Sequence, residues 1–184
     1  AKLYYDYTTD TFKANVKLFN GAIKFRPLNT WSGDLGDNEL DGILESGSDI
    51  PVTEGHYLIT LDLKDFSYSI EPATVWGAVG SGFNNWGNND WDHDGDAATP
   101  AVKAPDAALT EIQPGYWFAE NITLIDGEIK FRADNTWSGD LGDNAPADGI
   151  LEAGDNIQVT AGNYVISIDF NDPDGPRYIL IKRP

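Results

Sequence analysis

Lys130, Arg132 and Trp137 stand within eight residues of one another, and Lys24, Arg26 and Trp31 repeat them at the same spacing. A strand sends alternate side chains to opposite faces. In Ile129-Lys130-Phe131-Arg132 the apolar pair therefore points to one side and the two cations to the other. Trp137 follows among Asn135, Thr136, Ser138 and Gly139, a neighbourhood too polar for a core strand. Cations beside a flat aromatic suit a polar ligand with an apolar face, and a pyranose is such a ligand. The indole would stack on the sugar while Lys130 and Arg132 donate to hydroxyls. The same residues also fit a loop tryptophan folded back as a lid on a sandwich with solvated cations, and the residue types alone weigh the two readings evenly.

The positions around these residues repeat as well. Residues 23–38 and 129–144 agree at fourteen of sixteen positions, and Phe12 with Phe118, Gly21 with Gly127 and Trp31 with Trp137 keep an offset of 106. The offset becomes 107 after the loop, where Gly42 meets Gly149 and Tyr57 meets Tyr164. A period this long marks a duplicated domain rather than a solenoid unit. The expected modules are 1–72 and 73–184. Residue 1 aligns with Ala107, so the first copy is expected to lack its opening segment, and with it any partner for Trp86.

Short alternating runs joined by Gly, Asp and Asn predict strands throughout. They fall at 12–19, 22–26, 49–52, 56–63, 66–70, 75–79, 116–124, 128–132, 156–160, 163–170 and 177–182, with 101–110 ambiguous. Asn20-Gly21 reads as a hairpin turn joining the first two of these. No window has helical periodicity with caps. The fold class this predicts is all-β, two tandem antiparallel β-sandwich modules of immunoglobulin-like type.

Between the 75–79 strand and the ambiguous run lies Gly80 to Asp96, a long stretch of Gly, Asn, Asp and aromatics that includes Trp86. Long loops of such composition usually carry function. Asp90, Asp92, Asp94 and Asp96 alternate around Gly95 like the front half of an EF-hand calcium loop, although the twelfth position holds Ala101. Calcium ordering the loop that bears Trp86 is the expectation, against the alternative of a solvated acidic loop. The repeated Gly-Asp-Leu-Gly-Asp-Asn runs read as turn chemistry.

With 30 acidic against 12 basic residues, a formal charge of -18 and a pI near 4.1, the chain repels nucleic acid and anionic membranes, and neither is expected as a partner. It has no Cys, which removes disulfides and thiolate chemistry, and no apolar run long enough to span a bilayer. No signal peptide stands at the amino end, and the absence of Met points to a processed protein or a piece of a longer one. Carboxylates abound, but Glu128 and Asp134, the pair a glycosidase reading would nominate, are Ala22 and Leu28 in the first copy. His56 and His93 do not recur either. The residues predict a protein that is not an enzyme.

The string Gly127-Glu-Ile-Lys-Phe-Arg-Ala-Asp-Asn-Thr-Trp-Ser138, the following Gly142-Asp-Asn144 and Leu151-Glu-Ala-Gly-Asp-Asn-Ile157, and Val159 to Phe170 resemble the carboxy-terminal domains of the SusE- and SusF-type starch-binding outer-membrane lipoproteins of Bacteroidetes. The resemblance covers nearly all of 75–184, and 1–72 apart from the opening. It implies tandem modules tethered to the cell surface through an upstream segment, holding starch or a related α-glucan without cutting it. It also implies companion outer-membrane glycan-uptake proteins as partners, and a monomer. Lys130, Arg132, Trp137, Lys24, Arg26 and Trp31 are the binding residues it implies, with Trp86 matching an aromatic of the family's first loop. The acidic run after Trp86 departs from that pattern. The rivals are a structural or adhesive spacer and an accessory module of a glycoside hydrolase.

Overall fold

β-Branched and aromatic residues at alternate positions, cut every few residues by Gly, Asp and Asn, produce strands and no α-helix among the residues that the computed structural model describes, 1–87 and 105–184. These fall into two units, Ala1–Thr74 and Val75–Pro184. Both are antiparallel β-sandwiches.

The first unit contains β1 (Tyr4–Asp6), β2 (Thr11–Leu18), β3 (Gly21–Ile23), β4 (Ile50–Val52), β5 (Gly55–Asp62) and β6 (Ser67–Pro72). One sheet has the order β1-β2-β5-β6, and β3 pairs with β4 in a second sheet of two strands. Phe25, Leu44, Ile50, Ile59 and Leu61 form the buried core between them.

The second unit contains β7 (Trp76–Val79), β8 (Ala107–Ala108), β9 (Thr110–Gln113), β10 (Tyr116–Leu124), β11 (Gly127–Ala133), β12 (Ile157–Val159), β13 (Gly162–Asp169) and β14 (Arg177–Lys182). Its sheets run β14-β13-β10-β9 and β12-β11-β7-β8. Fourteen buried residues make its core, with Phe131, Ile129, Ile166 and Ile168 fully enclosed. The ambiguous stretch at 101–110 thus includes β8 and the start of β9, and β1 is a strand that the alternation did not reveal.

The Asn20-Gly21 hairpin expectation is overturned. β2 already has β1 on one side and β5 on the other, and β10 likewise lies between β9 and β13. No edge is left for the following strand, so the chain crosses at Gly21 and Gly127 to the opposite sheet. Lys24 and Lys130 therefore belong to the sheet that lies across the core from the preceding strand.

β11 is seven residues long because it is paired along its whole length. Gly127, Glu128 and Ile129 face Val159, Gln158 and Ile157 of β12, and Lys130 to Ala133 face Val79 to Trp76 of β7. Its counterpart β3 keeps only the pairing to β4, through Gly21–Ile23. Phe25 is 7% exposed where Phe131 is sealed, and Leu61 is 8% exposed where Ile168 is sealed. Full burial of such a side chain is worth about 1.5–3 kcal/mol, so the first unit forgoes part of that term at each place.

Candidate functional site

In the second unit the repeated Lys-x-Arg and its tryptophan are built into a layered arrangement. Arg132 lies on the outer face of β11 but is 4% exposed. A burial that deep for a cation requires a partner. Asp106, itself 7% exposed, accepts from Arg132 Nε at 2.6 Å and from Nη2 at 2.8 Å, a bidentate pair. The guanidinium carbon lies 4.3 Å from the centre of the Trp137 ring, so the paired cation forms a floor for the indole. Trp137 itself remains half exposed. Its loop leaves β11 through Asp134 and Asn135, both in the left-handed region, and returns through the Thr136 N–H donating to Ala133 O at 3.0 Å.

Trp86 lies against Trp137. The two ring centres are 6.0 Å apart and their planes are inclined by 42°. Asn85 and Trp86 have φ of 48° and 61°, a conformation that costs a bulky residue on the order of 1–3 kcal/mol and persists only where neighbours enforce it. Asn84 does so: its side-chain oxygen accepts from the Gly80 and Gly87 N–H groups, each at 3.2 Å, and its amide donates to Asp106 Oδ1 at 3.3 Å. Gly87 is required here, since a Cβ at that position would lie 2.8 Å from Arg132 Nη2. Asn84, Asp106 and Arg132 thus connect both tryptophans to β11.

Gly77 completes the arrangement. It faces Arg132 across the β7–β11 pair, and a Cβ there would come within 2.8 Å of the Asp106 Cβ. The missing side chain is what lets the carboxylate reach the guanidinium.

Lys130 donates to Asp140 Oδ2 at 2.6 Å, and Lys24 to Asp34 Oδ2 at 2.7 Å. Lys24 also has Asp49 Oδ1 at 3.7 Å, so the two ammonium groups are not equally engaged. The hydrogen bond from Lys24 holds the Asp34 carboxyl below the ordinary carboxylate range, and the same bond raises Lys24.

The second aspartate of each Gly-Asp-Leu-Gly-Asp run organises its own loop. Asp37 accepts from the N–H groups of Leu40 and Gly42 and from the Tyr68 hydroxyl. Asp143 accepts from the N–H groups of Asp148 and Gly149 and from the Tyr178 hydroxyl. Burial pushes Asp37 up, but the bonds from Gly42, Tyr68 and Leu40 outweigh it and leave it below its usual range. Burial first, and then the carboxylate, raise both tyrosines, Tyr68 to about 12.

The first unit contains the same motif in a different state. The guanidinium of Arg26 lies 4.6 Å from the Trp31 ring centre, but Arg26 is exposed and Trp31 is 69% exposed. No residue of 1–74 stands where Asp106 or Trp86 stands in the second unit.

The structure therefore brings Trp137, Trp86 and Arg132 together. Arg132 serves as the floor beneath the indole, because its buried, doubly bonded guanidinium is turned to Asp106. Sequence reasoning missed Asp106, Asn84 and Asp140. The ten-residue Lys-to-Asp spacing, present in both copies, is the signal that could have found Asp140. Glu128, which with Asp134 is the pair a glycosidase reading would nominate, holds the side-chain amides of Asn156 and Gln158, and Asp134 accepts from the Val75 N–H. The amides hold Glu128 below its ordinary range, so it is ionised rather than a proton donor at neutral pH. Asp90, Asp92, Asp94 and Asp96 lie outside the described residues.

No family model and no curated protein matches the chain. Among solved structures it is similar to the crystal structure of SusF from Bacteroides thetaiotaomicron, at 17% identity and a TM-score of 0.39. That match covers 98% of this chain and 45% of the other, so the chain spans less than half of that protein's length in the structure.

Proposed function

We propose that the second unit is a non-catalytic carbohydrate-binding module and that its ligand is starch or a related α-glucan. The observation that carries this reading is the tryptophan pair, with Trp137 half exposed above a buried Arg132–Asp106 pair and Trp86 tilted 42° against it. Two inclined rings offer a bent apolar surface. An α-linked glucan curves from sugar to sugar, whereas a flat β-linked chain would favour coplanar rings. The Lys130–Asp140 pair, its lysine on the same face of β11 as Arg132, supplies donors and acceptors for hydroxyls. In this reading the protein is displayed at a Gram-negative cell surface beside glycan-uptake proteins. A calcium ion on Asp90, Asp92, Asp94 and Asp96 is a further part of the reading, and it rests on the sequence alone.

Calorimetry with a maltooligosaccharide and a cellooligosaccharide of equal length tests it. Heat with the first and none with the second is expected. Heat with neither, together with unretarded migration in gels containing soluble polysaccharide, would refute the reading and favour a spacer module. Reducing ends released from amylose would refute the non-catalytic part.

A further inference from the structure

Asn84 precedes Trp86 by two residues and is only 4% exposed, so a ligand lying on the tryptophans does not reach it. Its main chain is already fixed, the N–H donating to Gly80 O and the C=O accepting from the Gly87 N–H, both at 3.0 Å. Its side chain repeats both ties and adds two more. The carboxamide oxygen accepts from the Gly80 and Gly87 N–H groups, and the nitrogen donates to Pro105 O at 3.2 Å and to Asp106 Oδ1 at 3.3 Å. One group thus joins the end of β7, the residue after Trp86 and the carboxylate that holds Arg132. A carboxamide suits this place because it accepts and donates in one plane; a carboxylate would lack the donors.

These bonds hold a conformation that Trp86 would not keep alone. Asn85 and Trp86 both lie in the left-handed region, which residues with large side chains leave unless their surroundings enforce it. The contact with Trp137 does not suffice, because a pair of rings gains less than two such residues cost. The Trp86 ring is carried by that backbone, whereas the Trp137 ring rests on Arg132. The 42° between the rings is therefore the angle between two supports, and Asn84 connects them through Asp106.

We propose that Asn84 is a positioning residue that sets the linkage preference of the tryptophan site: it fixes the tilt of Trp86, and the tilted pair selects a curved α-linked chain over a flat β-linked one. The proposal rests on the carbohydrate reading above. A lone indole stacks on the apolar face of a sugar in either chain. Preference is a difference of affinities, and here it requires the second ring at its angle. Loss of the Asn84 carboxamide removes selection as well as attraction.

The test uses the whole chain. Two indoles this close and inclined couple their excited states, which gives a bisignate band in far-ultraviolet circular dichroism without any ligand. The wild type is expected to show this couplet and Trp137→Phe to remove it. Asn84→Ala, or Asn84→Ser where the alanine variant does not fold, is expected to remove it too. The same variant is expected to cut the preference for a maltooligosaccharide over a cellooligosaccharide of equal length about tenfold. Ile166→Val, a core change that also lowers stability, is expected to leave couplet and preference unchanged. Absence of the couplet from the wild type would overturn the proposal, as would a couplet or a preference that survives in the Asn84 variant, or the loss of either in Ile166→Val. A wild type that shows the couplet and binds neither sugar would refute the carbohydrate reading and the linkage preference with it. A wild type that prefers the maltooligosaccharide, with an Asn84 variant that prefers it equally, would overturn the role of Asn84 alone.

Discussion

The run Ile-Lys-Phe-Arg-x-x-Asn-Thr-Trp-Ser-Gly-Asp-Leu-Gly-Asp-Asn occurs once with β7 and Asp106 around it and once without them, and its cation behaves differently in the two places. In the second unit Arg132 is buried, doubly bonded and stacked. In the first, Arg26 makes the same stack on its tryptophan but lies in the open. The stack is therefore a property of the run itself. The burial and pairing of its arginine depend on a strand and a carboxylate from outside the run.

The largest expected difference follows from that carboxylate. Asp106→Ala leaves a buried guanidinium without its partner, a change that costs about 3–5 kcal/mol. The second unit is expected to unfold at markedly lower denaturant and to lose glycan binding with it. Arg26→Ala in the first unit, an exposed change, should stay within about 0.5 kcal/mol. Chemical denaturation of the two variants checks both, and equal effects would erase the distinction between the units.

The next difference is in binding. Trp137→Ala is expected to weaken a maltooligosaccharide at least tenfold, corresponding to about 1.4 kcal/mol, and to remove most of the heat in calorimetry. Trp31→Ala should remove little, because no second ring of residues 1–74 lies against Trp31. A stoichiometry near two sites per chain, with both tryptophans equally important, would mean that one ring on an exposed cation suffices.

What the sequence made legible follows the same line. Period-two alternation identified most strands, and the repeat marked each arginine with the tryptophan it lies against. Alternation says that a segment is a strand and which face is buried, but not which sheet it joins, and so Asn20-Gly21 was read as a hairpin when β2 had no free edge. Asp106 escaped because it sits at the end of a segment without periodicity and has no counterpart in residues 1–74 to be compared with. The bonds from Tyr68 to Asp37 and from Tyr178 to Asp143 escaped because they span 31 and 35 residues and so keep no common spacing.

A smaller effect is expected where the loop supplies its own partner. Lys24→Gln and Lys130→Gln each remove a half-buried pair made inside the repeated run, Lys24→Gln also removing a 3.7 Å contact with Asp49 outside it, and each should cost about 1 kcal/mol or less. Matched losses in thermal melts of the two variants would sharpen the comparison, since they would confine the asymmetry to the arginine. A loss much larger at Lys130 would extend it to the lysine.

The difference between the units should disappear altogether at the tyrosines. Tyr68 is raised in the folded state to about 12 and Tyr178 is raised as well, each by burial and by the carboxylate its hydroxyl donates to. An unfolded tyrosine titrates near 10. Above that pH the folded state holds a proton that the unfolded state has released, so the stability these groups contribute is complete below about pH 10 and falls as the pH rises through the folded value, by linkage. The carboxylate of Asp37 acts in the opposite direction. Its depressed value means that the stability it contributes is present above the unfolded pKa near 4 and is lost as the pH falls through the folded one. Denaturant midpoints followed from pH 9 to 12 are expected to fall in both units, and Tyr68→Phe or Tyr178→Phe should flatten the fall only in the unit that carries it. A fall that neither substitution changes would place the alkaline sensitivity elsewhere and leave the two hydroxyls as ordinary loop contacts.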